Sequence, residues 1–204
     1  MTAPNELSVC VVDDDPAMRD SLQLLLRSAG FEAHTFPSAS TFLAGFDPES
    51  TGCVLLDVRM KGMSGLELQR ELAAQYPVVP VVLISGHADV PMAVQAMRSG
   101  AVDVVEKPFD HDALLDRVRQ CLERSRELRV QRREADKIRT ALDQLTPRER
   151  EVAELLAQGK ASKVIAGELA ISAKTVDVHR SRIMAKLGLR TTTELVRVML
   201  SLGR

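Results

Sequence analysis

The chain has 204 residues, 45% of them hydrophobic and 27% charged. That is enough apolar material for a core, it excludes disorder, and the length predicts one or two domains. The net charge of −1 conceals an imbalance: residues 1–123 carry 9 Lys+Arg against 18 Asp+Glu, and residues 124–204 carry 18 against 10. An acidic front half and a basic back half predict two units with different partners, the basic one a candidate for nucleic acid, although a solvated charged surface would give the same counts. Residues 1–8 are polar without a signal-peptide pattern, and the longest apolar stretch, residues 78–84, is short and contains Pro80. A cytoplasmic protein with no membrane contact is expected. Cys10, Cys53 and Cys121 have no metal or redox spacing and read as reduced, mostly buried thiols.

In chain order, the apolar run 8–12 predicts a strand that ends in Asp13-Asp14-Asp15. Residues 16–29 have helical spacing, with Pro16 suited to the first turn and Gly30 to the stop. A strand over 31–36, a helix capped by Ser38, a strand over 53–56 ending at Asp57 and a helix over 66–75 follow. A buried strand over 78–84 ends at Ser85, a helix covers 90–99, and a last strand over 102–105 ends at Glu106-Lys107-Pro108. Short, almost wholly apolar strands alternating with helices predict an α/β fold, a doubly wound five-stranded parallel sheet covered on both faces. From Asp110 the pattern stays helical to about Leu145, as one long helix or one with a hinge; the charged stretch 124–139 predicts a mostly solvated middle. The last 60 residues show no strand signal. Thr146-Pro147-Arg148-Glu149 is a strong helix start, and a short helix over 162–169 then turns through Ala170-Ile171-Ser172. A longer helix runs to about Leu187, and a fourth starts at Thr191 or Thr192 and ends near Gly203. A short helix, a tight turn and a longer polar helix form the helix-turn-helix layout. The expected partition is 1–123, a charged helical linker at 124–141, and a small all-α four-helix unit at 142–204.

Asp13, Asp14, Asp57, Ser85 and Lys107 all fall at strand carboxyl ends, where ligands sit in folds of this class. Three carboxylates at one rim repel each other unless a hard cation neutralises them, and oxygen ligands suit Mg²⁺. A carboxylate beside that metal can attack a phosphoryl donor, Lys107 can stabilise the phosphoryl oxygens, and Ser85 can donate a hydrogen bond to them. A lone Asp at a strand end is usually a cap and a lone Lys usually a surface residue; five such groups at four strand ends are harder to explain that way.

Val11-Val12-Asp13-Asp14-Asp15, Leu55-Leu56-Asp57, Ser85-Gly86-His87 and Lys107-Pro108-Phe109 resemble the landmarks of the response-regulator receiver domain over residues 6–123. The resemblance implies the sheet order 2-1-3-4-5 and Asp57 as phosphoacceptor, served by a sensor histidine kinase. It implies Asp14, Asp57 and the Arg59 carbonyl as Mg²⁺ ligands, Asp13 acting partly through water, Ser85 as the switch hydroxyl and Lys107 as the phosphate ion pair. Two positions depart from the pattern: Val104 stands where many receivers have a switch aromatic, and Lys61 where many have proline.

Residues 142–204 resemble the output domain of the LuxR and FixJ families, through the run 145–152, Lys174-Thr175-Val176-Asp177-Val178-His179-Arg180 and Ala185-Lys186-Leu187-Gly188. Val176, Ile183 and Leu187 should be buried, leaving Thr175, Asp177, Val178, Ser181 and Arg182 outward as base readers. Lys174, Arg180, Lys186 and Arg190 are better placed for phosphates. For His179, packing or phosphate contact is favoured over metal ligation. For Asp177, reading a base and orienting Arg180 both stay open. The Gly62-Met63-Ser64-Gly65, 84–88 and 106–109 segments, joined to this output domain, are most similar to the FixJ branch. That similarity implies an activator of nitrogen-fixation genes under a FixL-type kinase, acting on promoter DNA and RNA polymerase as a homodimer when phosphorylated. An enzyme is not expected: an aspartate-nucleophile phosphatase usually has a second acid two residues after the nucleophile, and Arg59 stands there. A helix-turn-helix that binds protein instead of DNA is the other rival, and salt dependence separates the two.

Overall fold

A computed structural model describes residues 7–87 and 90–202, with side chains to residue 199. Ala88 of the loop after Ser85 and Gly203, the expected final helix stop, lie outside the described residues. The chain divides into two units, Met1–Val130 and Gln131–Arg204.

The first unit is a parallel sheet in the order β2-β1-β3-β4-β5. Its strands are β1 (Ser8–Val12), β2 (Ala33–Phe36), β3 (Thr51–Asp57), β4 (Val81–Ser85) and β5 (Asp103–Glu106). The helices between and after them are α1 (Pro16–Ser28), α2 (Ala39–Gly45), α3 (Gly65–Gln75), α4 (Val90–Arg98) and α5 (His111–Asp143). Strand residues divide by the two-residue period of extended backbone. Cys10, Val12, Val54, Leu56 and Leu83 pack with Phe42, Leu68, Leu72 and Ala96 of α2, α3 and α4. Val9, Val11, Cys53, Leu55 and Ile84 pack with Leu22 and Leu26 of α1 and Leu114, Val118 and Leu122 of α5. Both faces are therefore covered, which explains why β1, β3 and β4 are buried along their whole length. β4 begins at Val81, three residues later than the apolar run suggested. Pro80 has no N–H for the ladder and accepts instead, from Val54.

α5 is one unbroken helix whose stretch 124–139 is mostly exposed, as its charge suggested, with Ser125 and Arg129 buried as exceptions. No helix among the described residues is long and apolar enough to cross a membrane.

The second unit joins the end of α5 to α6 (Pro147–Ala157), α7 (Ser162–Glu168), α8 (Ala173–Leu187) and α9 (Thr192–Leu202). Its core gathers Leu145, Val152, Leu156, Ile165, Val176, Ile183, Leu187 and Leu195. Thr146 and Glu149 form the capping box that starts α6, and Ser172 caps α8 by accepting from the Thr175 amide at 3.0 Å. Gly188 ends α8 in the left-handed conformation, φ +65°, which costs glycine least.

Candidate functional site

In the first unit, β1, β3 and β5 deliver their terminal side chains to one rim. Asp13 follows β1, Asp57 ends β3, and Lys107 follows β5. The Lys107 ammonium donates to Asp57 Oδ1 at 2.7 Å and to Asp13 Oδ2 at 2.9 Å. Both carboxylates are buried. Each uses its second oxygen to fix local backbone. Asp57 Oδ2 accepts from the Arg59 amide at 2.7 Å, and Asp13 Oδ1 from the Asp15 amide at 2.8 Å. Arg19 of α1 donates to the Asp13 carbonyl at 2.7 Å, a support that no sequence signal had marked. Gly65 is required for close approach: a Cβ there would lie 2.0 Å from the Asp57 carbonyl oxygen. The loop with Lys61 in place of proline turns at Gly62, φ +80°.

Burial raises the Asp57 carboxyl above its ordinary value and Asp13 adds to the rise, while Lys107 and the Arg59 amide oppose it. Burial pulls the Lys107 ammonium down, but its bonds to Asp57 and Asp13 more than offset this and its pKa is raised. The lysine is thus held charged, and the cost of burial falls on Asp57. Ser85, buried at the end of β4, donates its hydroxyl to the His87 carbonyl at 2.9 Å and accepts from the His87 amide at 3.2 Å.

Asp13, Asp57 and Lys107 are therefore brought together. Asp14, the residue after Asp13, is half-buried, and the Arg59 side chain is exposed. Among the described residues, no three His, Cys, Asp or Glu side chains form a group able to hold a metal alone. Mg²⁺ keeps several waters and needs only one or two carboxylates, so two converging carboxylates with hard oxygens fit it.

In the second unit, α7 and α8 form the helix-turn-helix around Ala170, φ +52°. Val176, Ile183 and Leu187 of α8 are buried, as their spacing required. Lys174, Thr175, Asp177, Val178, Arg180, Ser181, Arg182 and Arg190 are exposed. Asp177 accepts from the Ser162 hydroxyl of α7 at 2.9 Å, which gives it a partner within the fold. His179 is half-buried, with a buried Nδ1 that has no hydrogen-bond partner among the described residues.

Lys186, expected on phosphates, is exposed as well and donates to Glu149 Oε2 at 2.6 Å and to the Gln144 carbonyl at 3.2 Å. The Glu149 side chain is only 4% exposed. The Lys186 bond and the Thr146 backbone amide lower its carboxyl to about 2. The capping box was legible, but its third member lies 37 residues away and left no local signal.

A family model for the response regulator receiver domain matches residues 9–119, and one for bacterial regulatory proteins of the luxR family matches residues 143–199. Transcriptional regulatory protein FixJ of Azorhizobium caulinodans is 44% identical over 200 residues, which is 98% of this chain and 95% of that protein. Response regulator protein TodT of Pseudomonas putida F1 is 40% identical over 93% of this chain and 84% of its own length. Among solved structures, response regulator StyR is similar with a TM-score of 0.78 and 46% identity, over 96% of this chain and 99% of that one.

Proposed function

The chain belongs to the two-component response regulators with a receiver domain and a LuxR-type DNA-binding domain, and from that premise we propose that phosphorylation of Asp57 controls its binding to promoter DNA. The observation that carries this is the Lys107 ammonium bridging Asp13 and Asp57. A receiver domain implies a sensor histidine kinase as donor. An Asp57 oxygen attacks the phosphoryl group of the kinase's phosphohistidine; the new P–O bond forms as the N–P bond breaks, and the imidazole leaves to take up a proton. When bound, Mg²⁺ supplies charge neutralisation for the phosphoryl oxygens, with Asp13, Asp14, Asp57 and the Arg59 carbonyl as the groups that would hold it. Lys107 follows the developing charge. Ser85 releases the His87 carbonyl to donate to the phosphoryl group, so the loop after β4 must move.

Val104 is partly buried against the sheet core, so the relay runs through backbone and aliphatic packing and not through an aromatic flip. It ends on α4, where Val90, Val94 and Met97 are 76%, 44% and 49% exposed. This face, with Met92 and β5 beside it, suits a second copy of the chain. Phosphorylation then shifts a monomer–dimer equilibrium, and two linked recognition helices bind one duplex more tightly than either does alone. Thr175, Val178, Ser181 and Arg182 read bases, Lys174, Arg180 and Arg190 hold phosphates, and Asp177 orients α8 on α7. The dimer acts on RNA polymerase as an activator.

The stimulus proposed is the one that controls nitrogen-fixation genes, through a FixL-type kinase, on the strength of the FixJ similarity. A second reading keeps the architecture and changes the stimulus; the 46% identity to StyR and 40% to TodT favour it. Acetyl phosphate with Mg²⁺ tests the mechanism: phosphate should map to Asp57, and ultracentrifugation should show a dimer that binds a selected duplex. Tight DNA binding by a phosphorylated monomer refutes the dimer step. Rapid phosphotransfer from a purified FixL-type kinase supports the first stimulus, and its failure beside normal acetyl phosphate labelling favours the second.

A further inference from the structure

The receiver family match ends at residue 119, yet α5 stays attached to the first unit well beyond it. The attachment is polar. Arg129 is 8% exposed and Ser125 fully buried. Arg129 Nη2 donates to the Pro48 carbonyl at 2.6 Å and the Thr51 carbonyl at 2.7 Å, and Nε donates to Ser125 Oγ at 3.2 Å. Ser125 Oγ in turn donates to the Val78 carbonyl at 2.6 Å. Glu49, 77% exposed, also has a carboxylate oxygen 3.7 Å from Arg129 Nη1.

A guanidinium buried among carbonyls is an expensive way to pack a helix, since an aliphatic side chain of similar volume avoids the desolvation cost. What it adds is direction. Its bonds, with that of Ser125, reach carbonyls at three places in the chain and so fix the rotation and height of α5. The places reached are not arbitrary. Thr51 opens β3, whose other end is Asp57. Val78 lies three residues before β4, whose other end is Ser85. The same two strands carry the phosphoacceptor and the switch hydroxyl at one end and the α5 attachment at the other.

We propose that Ser125 and Arg129 are positioning residues that couple β3 and β4 to the part of α5 beyond the receiver, so that the gain in DNA affinity on phosphorylation of Asp57 passes through this latch. Strands in a close-packed core transmit small displacements instead of absorbing them. With the latch closed, α5 moves with the sheet as far as Val130. With it open, residues 124–130 are released and the signal stops at the end of the receiver. The inference rests on the phosphorylation-dependent DNA binding proposed above.

The test uses the full-length chain as Arg129→Ala and, separately, as Ser125→Ala, which removes only a hydroxyl. The DNA probe is the duplex that the phosphorylated wild type enriches from a random library. Both variants should take phosphate from acetyl phosphate at the wild-type rate, and their unphosphorylated affinity for the duplex should be unchanged. The affinity gain on phosphorylation should fall about tenfold, within the usual range of coupling between sites. Amide exchange should quicken over residues 124–130 and not over 111–122. Retention of the full affinity gain in both variants overturns the proposal. Should Arg129→Ala fail to fold, Ser125→Ala decides alone. A wild type with no affinity gain sinks the functional reading; the exchange arm then still judges the latch, which unchanged protection over 124–130 overturns.

Discussion

In the first unit Lys107 meets Asp57 at 2.7 Å, and in the second Lys186 meets Glu149 at 2.6 Å, yet the two carboxyls shift in opposite directions. Asp57 shares its lysine with a second carboxylate, Asp13, and burial dominates, so its pKa rises. Glu149 shares its lysine with no other carboxylate among the described residues and accepts from the Thr146 amide as well, so its pKa falls to about 2. Each carboxylate has a lysine and a backbone amide as donors, so the sign of the shift is set by what surrounds them: burial and a neighbouring carboxylate for Asp57, and neither in comparable strength for Glu149.

Asp57→Asn breaks this contrast most completely. It removes the proposed nucleophile with almost no change of shape, so phosphate uptake from acetyl phosphate should vanish by intact mass while the far-ultraviolet dichroism stays the same. Equal labelling of the variant would move the reactive group elsewhere. Lys107→Ala comes next. It removes the charge proposed to serve the phosphoryl oxygens, and the labelling rate should fall on the order of 10²-fold.

Lys186→Ala tests the other side of the contrast. Its side chain is 35% exposed, so solvent screens the pair and the loss of stability should be about 1 kcal/mol, read from urea unfolding of the full chain. The salt slope of DNA binding should stay at the wild-type value, whereas Arg180→Ala should lower it by about one. A slope lowered by Lys186→Ala would return that lysine to the phosphates.

The smallest effect is in pH. The folded pKa of Glu149 lies below its ordinary value of 4.5, so its contribution to stability is complete above that value and is lost as pH falls toward about 2. Asp57 has the opposite sign: its folded pKa is raised, so the folded state holds that proton more tightly and its contribution grows as pH falls. Acid titration followed residue by residue should find Glu149→Gln less sensitive than wild type in the second unit. Asp57→Asn should remove the opposite trend in the first.

The amino-acid sequence by itself determined the alternation of strands and helices, the two-unit division by charge, the caps at Ser38, Thr146 and Ser172, and the buried stripe of α8. Each of these rests on neighbours within a few residues, through hydrophobic period or local side-chain to backbone bonding. It also brought Asp13, Asp57, Ser85 and Lys107 to one rim, because parallel strands in a doubly wound sheet all point their carboxyl ends the same way. Only the tertiary structure decided where the long cations went. Lys, Arg and their flexible stems have no periodic signature, and their partners are set by what the fold leaves unsatisfied. Lys186 was drawn inward by Glu149, 37 residues away, and Arg129 by the carbonyls of Pro48 and Thr51, 81 and 78 residues away. Before folding, each of these side chains is solvated like any surface cation. Their roles appear only once a carboxylate or carbonyl is buried beside them and must find a donor.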